Sequence, residues 1–195
     1  MLFRSKLLNS LANQLRRADE VVIIDNHPEH KSSMIAKQFT FVSKILETKN
    51  YGFAHGCNTG TKVLSKKIEL IFFLNPDTTL KQNCLKQLRC GIPNDWAAWM
   101  PLLLKNDGKI NSAGNIVHIS GLSWCGGYNQ NPKQYIKQQE VQHLSGACLM
   151  IRRSVLKRAG GMPEGYFMYY EDAALSSQLN LMGLKLGIVP KAHVD

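Results

Sequence analysis

At 195 residues the chain suits one domain with a sizeable core, and its 44% hydrophobic and 19% charged content is that of an ordinary globular protein. No apolar run approaches the roughly 20 residues of a membrane span, and the opening Met-Leu-Phe-Arg-Ser-Lys-Leu-Leu turns polar too soon for a signal peptide. A net charge of +10 calls for an anionic partner. The basic residues are dispersed in pairs such as Arg16-Arg17, Lys66-Lys67 and Arg152-Arg153, and no nucleic-acid signature is present. No nucleic-acid partner is therefore expected; a solvated basic surface able to touch anionic lipid fits better. Five cysteines (57, 84, 90, 125, 148), odd in number and without a Cys-x-x-Cys pair, suggest neither a disulfide framework nor a zinc site, and a reducing cytoplasm is the expected compartment.

In chain order, Leu7, Leu8, Leu11 and Leu15 give residues 5–18 the spacing of a helix with one buried face. Val21 to Ile24 reads as a parallel strand, and Asp25-Asn26 stands at its carboxyl end. A second helix is expected over 32–42 and a short strand from Ser43 to Thr48. The stretch Asn50-Tyr51-Gly52-Phe53-Ala54-His55-Gly56-Cys57-Asn58-Thr59-Gly60 reads as a glycine-rich loop, suited to close backbone approach to a ligand. A plain turn is its simpler alternative, because the spacing matches neither a Walker loop nor the dinucleotide fingerprint. A helix then runs through about residue 66.

Leu70 to Leu74 is apolar on both faces and is expected mid-sheet. It stops at Asn75-Pro76-Asp77, since Pro76 cannot donate to a ladder. Asp77 thus stands beyond a strand's carboxyl end, where open α/β sheets bind ligands and where a carboxylate can hold a divalent cation on phosphates. A turn capping the next helix is the alternative. A helix over 80–90, a strand over 96–104 and a hairpin turn at Asn106-Asp107-Gly108-Lys109 follow. Residues 120–140, polar and glycine-rich with Trp124 and Tyr128, are expected to form a mobile loop over a site. Ser145 to Ile151 returns as a strand, and Val155 to Ala159 is a short helix stopped by Gly160-Gly161. Glu171 and Asp172 then follow the aromatic run Phe167 to Tyr170 at a helix start. They are either an N-cap or a carboxylate that an aromatic wall holds rigidly and raises in pKa. Leu184 to Val189 is the last strand.

Together VVIIDN (21–26), NYGFAHGCNTG (50–60), FFLNPD (72–77), SGACLMIRRSVLKRAGGMPEGYFMYYED (145–172) and GLKLGIVPKA (183–192) resemble the family 2 glycosyltransferases, most closely their rhamnosyltransferase-like branch. The resemblance implies an α/β GT-A fold, a Rossmann-like mixed sheet flanked by helices, with residues 1–195 forming a single, partial domain. It also implies transfer of a sugar, with inversion, from a nucleotide-diphosphate sugar to a saccharide or lipid-linked saccharide acceptor. The setting would be cell-envelope or surface polysaccharide synthesis at the inner face of the plasma membrane.

By the same resemblance, Asp25, with Asn26 beside it, matches the acid that bonds the nucleotide base. Asn50, Gly52, Gly56 and Asn58 match the loop lining the nucleotide pocket. Asp77 matches the holder of Mg²⁺ or Mn²⁺, Asn75 standing for the first Asp of the usual Asp-x-Asp. Asp172 matches the general base, with Glu171 beside it, and Ala174 replaces a further acid. Two departures stand out. The family's first strand is missing, since this chain starts at a helix. The family's metal-binding His falls one place past Asp195, leaving His193 out of register. A catalytically inert remnant, at most a nucleotide-binding or interaction module, is the alternative.

Overall fold

The computed structural model describes residues 2–120 and 122–195. Met1, and Gly121 within the expected 120–140 loop, lie outside the described residues. The elements run α1 (Leu2–Ala12), β1 (Val21–Asp25), α2 (Lys31–Ala36), β2 (Val42–Glu47), α3 (Phe53–Val63), β3 (Leu70–Leu74), α4 (Cys84–Arg89), β4 (Trp96–Leu104), β5 (Ile110–Ser112), β6 (Asn115–Val117), β7 (Ser123–Cys125), β8 (Gln139–Val141), β9 (Cys148–Arg152), α5 (Arg153–Arg158), α6 (Glu171–Leu181) and β10 (Lys185–Val194).

Two sheets carry the architecture. β1 pairs β2 in parallel, and a six-stranded mixed sheet has the order β3-β9-β4-β10-β8 with β5 added on β4. β9 is antiparallel to both β3 and β4, and β10 is parallel to β4, so β3, β4 and β10 all point one way. β4 is the centre: Trp96 to Leu103 are all buried, as expected of a strand covered on both faces. Trp99 donates its indole N–H to the Leu88 carbonyl at 2.9 Å, satisfying a group that would otherwise be orphaned in the core.

The expectation that β3 lies mid-sheet is corrected. Among the described residues it pairs only with β9 and forms one edge of the six-stranded sheet. Ile71 and Phe73 are buried and Leu70, Phe72 and Leu74 half-buried, and an apolar run by itself does not reveal whether a strand's second edge is paired. Boundaries shift elsewhere for identifiable reasons. α1 ends at Ala12 rather than running to residue 18, and α2 ends at Ala36. Asn83, in the left-handed region at φ 63°, caps α4, which starts at Cys84 rather than at residue 80. The 120–140 stretch holds β7, the beginning of β8 and a 3₁₀ turn (Pro132–Gln134) capped by Asn131, so it is no structureless loop. β10 continues through Pro190 to Val194, with a register shift against β4 between Val189 and His193 that accommodates the missing proline N–H.

Gly187 on β10 marks the tightest packing in the core. A Cβ there would lie 2.1 Å from the buried Trp96 ring. Gly187→Ala should lower stability by about 1–3 kcal/mol through overpacking. Gly165→Ala, where a Cβ meets nothing within 4 Å, should be neutral. Urea unfolding of the two variants checks the contrast.

Candidate active site

β1, β3, β4 and β10 deliver their carboxyl ends to one side of the molecule. At the end of β1 the buried Asp25 carboxylate accepts from the Ser33 N–H at 2.7 Å and from the His27 N–H at 3.2 Å, which closes the β1–α2 turn. Asn26 donates to the Asn50 side-chain oxygen at 3.2 Å, and the same oxygen accepts from the Gly52 N–H at 3.0 Å. Gly52 has φ +96°, and a Cβ on it would fall 2.3 Å from the Phe167 carbonyl oxygen. Only glycine fits there. Asp25, Asn26, Asn50 and Gly52 therefore form one connected cluster, backed by the 166–170 segment.

Gly56 and Asn58 do not join it. The expected glycine-rich loop becomes helix α3 from Phe53, because the glycines after Gly52 lie in its interior. Gly56 and Gly60 sit one turn apart against Ile24, where added Cβ atoms would lie 3.7 and 3.4 Å away. Their small size lets α3 settle onto β1. The Asn58 side chain donates to the Met162 carbonyl (2.9 Å) and to Glu164 (2.7 Å) and accepts from the Met162 N–H (2.8 Å). It bolts α3 to the segment before the acids. His55 adds a 2.9 Å contact to Glu164, whose carboxyl is held below its usual range first by Asn58 and then by His55.

At the end of β3 the Asn75 N–H donates to the Ala147 carbonyl at 2.9 Å, and Thr78 returns its N–H and hydroxyl to the Asn75 carbonyl at 3.2 and 2.7 Å. Asn-Pro-Asp is thus a tight turn, and it presents Asp77 to solvent. β10 closes beside it: Thr79 and Asp195 exchange backbone bonds of 2.7 and 2.9 Å, and Lys81 pairs with the Asp195 carboxylate. One residue before Ala147, the Gly146 N–H donates to Asp172 at 2.8 Å. The other Asp172 oxygen accepts from the Ala173 N–H at 2.8 Å. The turn that carries Asp77 is therefore tied, through Asn75, to the same short backbone segment that holds the Asp172 carboxylate.

Neither of the two sequence readings of Asp172 holds as stated. The N-cap of α6 is Tyr170, which makes no side-chain cap bond, and Asp172 lies inside the helix. The aromatic run is no wall either, since Tyr166 to Tyr170 are all exposed, Tyr169 by 71%. A backbone N–H holds the acid instead. Tyr169 and Tyr170 both occupy the left-handed region, at φ 69° and 68°, which costs about 1–3 kcal/mol each for a non-glycine residue. That turn aims the start of α6 at Gly146.

The model of the family described as Glycosyl transferase family 2 matches residues 5–160. The chain belongs to glycosyl transferase family 2. This family 2 chain is 28% identical to rhamnosyltransferase WbbL of Escherichia coli K12 over 206 residues, 95% of the chain and 76% of the relative. It is 39% identical over 71 residues, 36% of the chain and 23% of the relative, to the N-acetylglucosaminyl-diphospho-decaprenol L-rhamnosyltransferase of Mycobacterium tuberculosis. Among solved structures, GalNAc-T7 with UDP, GalNAc and Mn²⁺ superposes with a TM-score of 0.75 at 18% identity, over 96% of this chain and 40% of that one. The GT-A fold expected from the sequence is the fold found.

Two further groups surround Asp172 in this family 2 chain. Glu171 turns the other way, as successive helical side chains must. It is buried at 7% exposure, its Oε2 has no hydrogen-bond partner among the described residues, and burial followed by the Asp172 charge pushes its carboxyl up. The Cys57 thiol on α3 is pushed up to about 12, mainly by burial and then by the Glu171 charge. The second group, His143, is absent from the sequence reading because nothing in Gln-His-Leu-Ser marks it. It is buried, with Nε2 3.0 Å from the Ser177 hydroxyl on α6. Burial pushes the imidazole's pKa down, opposed by Asp172.

A raised folded-state pKa makes Glu171 favourable to folding below its unfolded value of 4.5, and this contribution is lost as pH rises through the folded value. Glu171→Gln should accordingly match the native protein in thermal stability near pH 4 and exceed it at pH 7, by about 2–4 °C for an effect near 1 kcal/mol. Melting curves at the two pH values check the sign.

Proposed function

We propose that the chain transfers a sugar, with inversion at the anomeric carbon, from a nucleotide-diphosphate sugar to an acceptor hydroxyl. The observation that carries this is that the Asn75 turn presenting Asp77 bonds Ala147 while Asp172 bonds the adjacent Gly146, at the carboxyl end of the sheet. A single displacement needs a charge-stabilising group at the leaving diphosphate and a proton acceptor at the incoming hydroxyl. Asp77 is the candidate for the first and Asp172 for the second.

Among the described residues no three His, Cys, Asp or Glu side chains gather into a metal centre. One exposed carboxylate still suits Mg²⁺ or Mn²⁺, which are commonly held by one or two carboxylates together with substrate phosphates and water. Asp77 would hold such an ion, and the ion would neutralise the leaving diphosphate. Asp25, Asn26, Asn50 and Gly52 would line the base and ribose side of the donor. Asn75 would hold the Asp77 turn, Gly56 the α3–β1 packing, and Asn58 the segment before the acids. The Asp172 carboxylate, oriented by the Gly146 N–H, would take the acceptor proton, and Glu171 would stay buried behind it.

The names of the two bacterial relatives suggest L-rhamnose as the transferred sugar and a lipid-linked saccharide as acceptor. No helix among the described residues is long and apolar enough to cross a membrane. Contact with lipid at the cytoplasmic membrane face would rest on the +10 charge.

Asp172→Asn should leave nucleotide affinity unchanged by calorimetry and lower transfer by about 10²- to 10⁴-fold, the usual span of general-base catalysis. Glu171→Gln should cost less. Equal turnover in Asp172→Asn and the native chain would remove Asp172 from the chemistry. Nucleotide binding without transfer in the native chain would favour an inert binding module, a reading that the division into two sheets supports.

A further inference from the structure

The hairpin of β6 and β7 is a two-stranded sheet of its own, and its polarity is inverted. Asn115 lies opposite Cys125, Ile116 opposite Trp124 and Val117 opposite Ser123. The His118 N–H closes the end by donating to the Leu122 carbonyl at 2.8 Å. Side chains alternate between the faces of a strand, and directly opposed residues share a face. Ile116 and Trp124 therefore stand on one face with Leu122 next along it, and all three are exposed. The other face carries Asn115, Val117 and Cys125, which are half-buried. A hairpin packed on a protein ordinarily turns its apolar side inward and its polar side to water. Here the apolar side looks outward, and Ile119 at the tip is 99% exposed. An apolar surface of this kind marks an interaction site.

The surroundings of the hairpin are basic and lack counter-charge. From Gly108 to Gln139 the chain contains no Asp or Glu, the longest such stretch in the sequence, whereas it contains Lys109, Lys133 and Lys137. These lysines are exposed, and none of them makes an ion pair among the described residues. Hairpin and lysines belong to one lobe. The Ile110 N–H donates to the Gln130 carbonyl at 3.0 Å, and the Ala113 N–H donates to the Gly126 carbonyl at 2.8 Å. A Cβ on Gly114 would lie 2.9 Å from Val141, where the lobe closes. Tyr128 and Ile136 on the same lobe are exposed as well.

The base of the hairpin is fixed beside the acids. The Asn115 N–H donates to the His143 carbonyl at 2.8 Å, and His143 contacts Ser177 on α6. The Cys125 thiol is raised by burial and then by the Asp172 charge, which places β7 close to that carboxylate. Four residues of strand separate Asn115 from Ile119, so the tip stands about 13 Å from this base.

We infer that the β6–β7 hairpin docks the protein onto an anionic lipid bilayer, with Ile116, Ile119, Leu122 and Trp124 entering the interface and Lys109, Lys133 and Lys137 meeting the headgroups. Aliphatic side chains gain by leaving water for the acyl boundary, and an indole suits the headgroup level. Lysines are drawn to the negative surface potential, and an acid-free lobe brings no opposing charge. A second copy of the chain fits poorly, because pairing the lobe with itself brings like charges together. A nucleic acid would meet the lysines and leave the apolar tip without a partner. The docking gives the membrane contact of the proposed function its surface, and it rests on that reading only for the acceptor: the Asp172 end of α6 would stand within about one hairpin length of the bilayer, in reach of a saccharide on a lipid carrier.

Vesicle binding by the full chain tests this. Trp96 and Trp99 are buried, so Trp124 reports on the hairpin. The chain should sediment with mixed phosphatidylcholine–phosphatidylglycerol vesicles and far less with pure phosphatidylcholine. Lipid brominated on its acyl chains should quench the Trp124 emission. Ile119→Ser combined with Leu122→Ser should keep the melting temperature, since both side chains are exposed, and should lower vesicle affinity by at least about tenfold. Lys109→Gln, Lys133→Gln and Lys137→Gln together should also lower it by at least about tenfold. Docking by this hairpin is ruled out if the native chain does not bind the mixed vesicles, or if the serine variant binds them equally well. It is equally ruled out if Trp124 of the bound protein stays unquenched, which marks a basic surface elsewhere, or if the native chain has a doubled mass that the serine variant loses, which marks a second copy. Binding is read without nucleotide or acceptor. A chain that docks and transfers no sugar thus keeps this inference and loses the proposed function, and a chain that transfers to a soluble acceptor without docking does the reverse.

Discussion

The hydrogen bond from the Gly146 N–H to Asp172 is the interaction on which the site depends. It converts an exposed helix start into a fixed carboxylate, and it does so from a segment that also fixes Asn75 through Ala147. Moving β9 would displace both acids together. The small residue at 146 is part of the arrangement, since a Cβ there would lie 3.2 Å from the Asp172 Cβ. The left-handed pair Tyr169-Tyr170 supplies the turn from the other side. Held by Asn58, Glu164 and the close approach of Gly52 to Phe167, that turn has few alternatives. Strain of this kind persists only where the surroundings determine it from several directions.

The same end of the molecule is divided. Asp25, Asn26 and Asn50 belong to the β1–β2 body, whereas Asp77 and Asp172 belong to the larger sheet, and the gap between β1 and β3 separates them. Helices α1 and α3 bridge the bodies through packing, and Arg153 bridges them through its bonds to the Leu64, Ser65 and Ile68 carbonyls. The relative placement of the nucleotide-side cluster and the acids thus rests on helix packing, the amino-end bonds of Arg153 and the bonds of α3 to the 162–167 segment, without a continuous ladder between β1 and β3.

Much of this was legible in the sequence because its determinants are local. The apolar runs from Val21 and Leu70 stop at Asp25 and at Asn-Pro-Asp, and a proline cannot continue a ladder, so the sequence alone puts Asp25 and Asp77 at strand ends, where they lie. The divergence of Glu171 from Asp172 follows from helix geometry. What was not legible depends on partners distant in sequence. The edge position of β3 depends on what lies beside it. The glycines at 56 and 60 read as a loop because glycine serves both turns and close helix packing, and only Ile24 decides between them. Asn58 reads as part of a ligand-lining loop, whereas its amide is held by Met162 and Glu164, over a hundred residues away. The aromatic run before Glu171 looked like a wall because hydrophobicity does not reveal exposure, and His143 carried no local signal at all.

The central claim is that Asp77 and the start of α6 flank one metal-assisted nucleotide-diphosphate site. Paramagnetic broadening of backbone amides by Mn²⁺, with and without a nucleoside diphosphate, tests it most directly. The account predicts that nucleotide and Mn²⁺ together broaden residues 75–79 and 145–147, that Mn²⁺ alone does so far less, and that Asp77→Ala abolishes the effect. Broadening that is indifferent to nucleotide, or centred away from both segments, would contradict it.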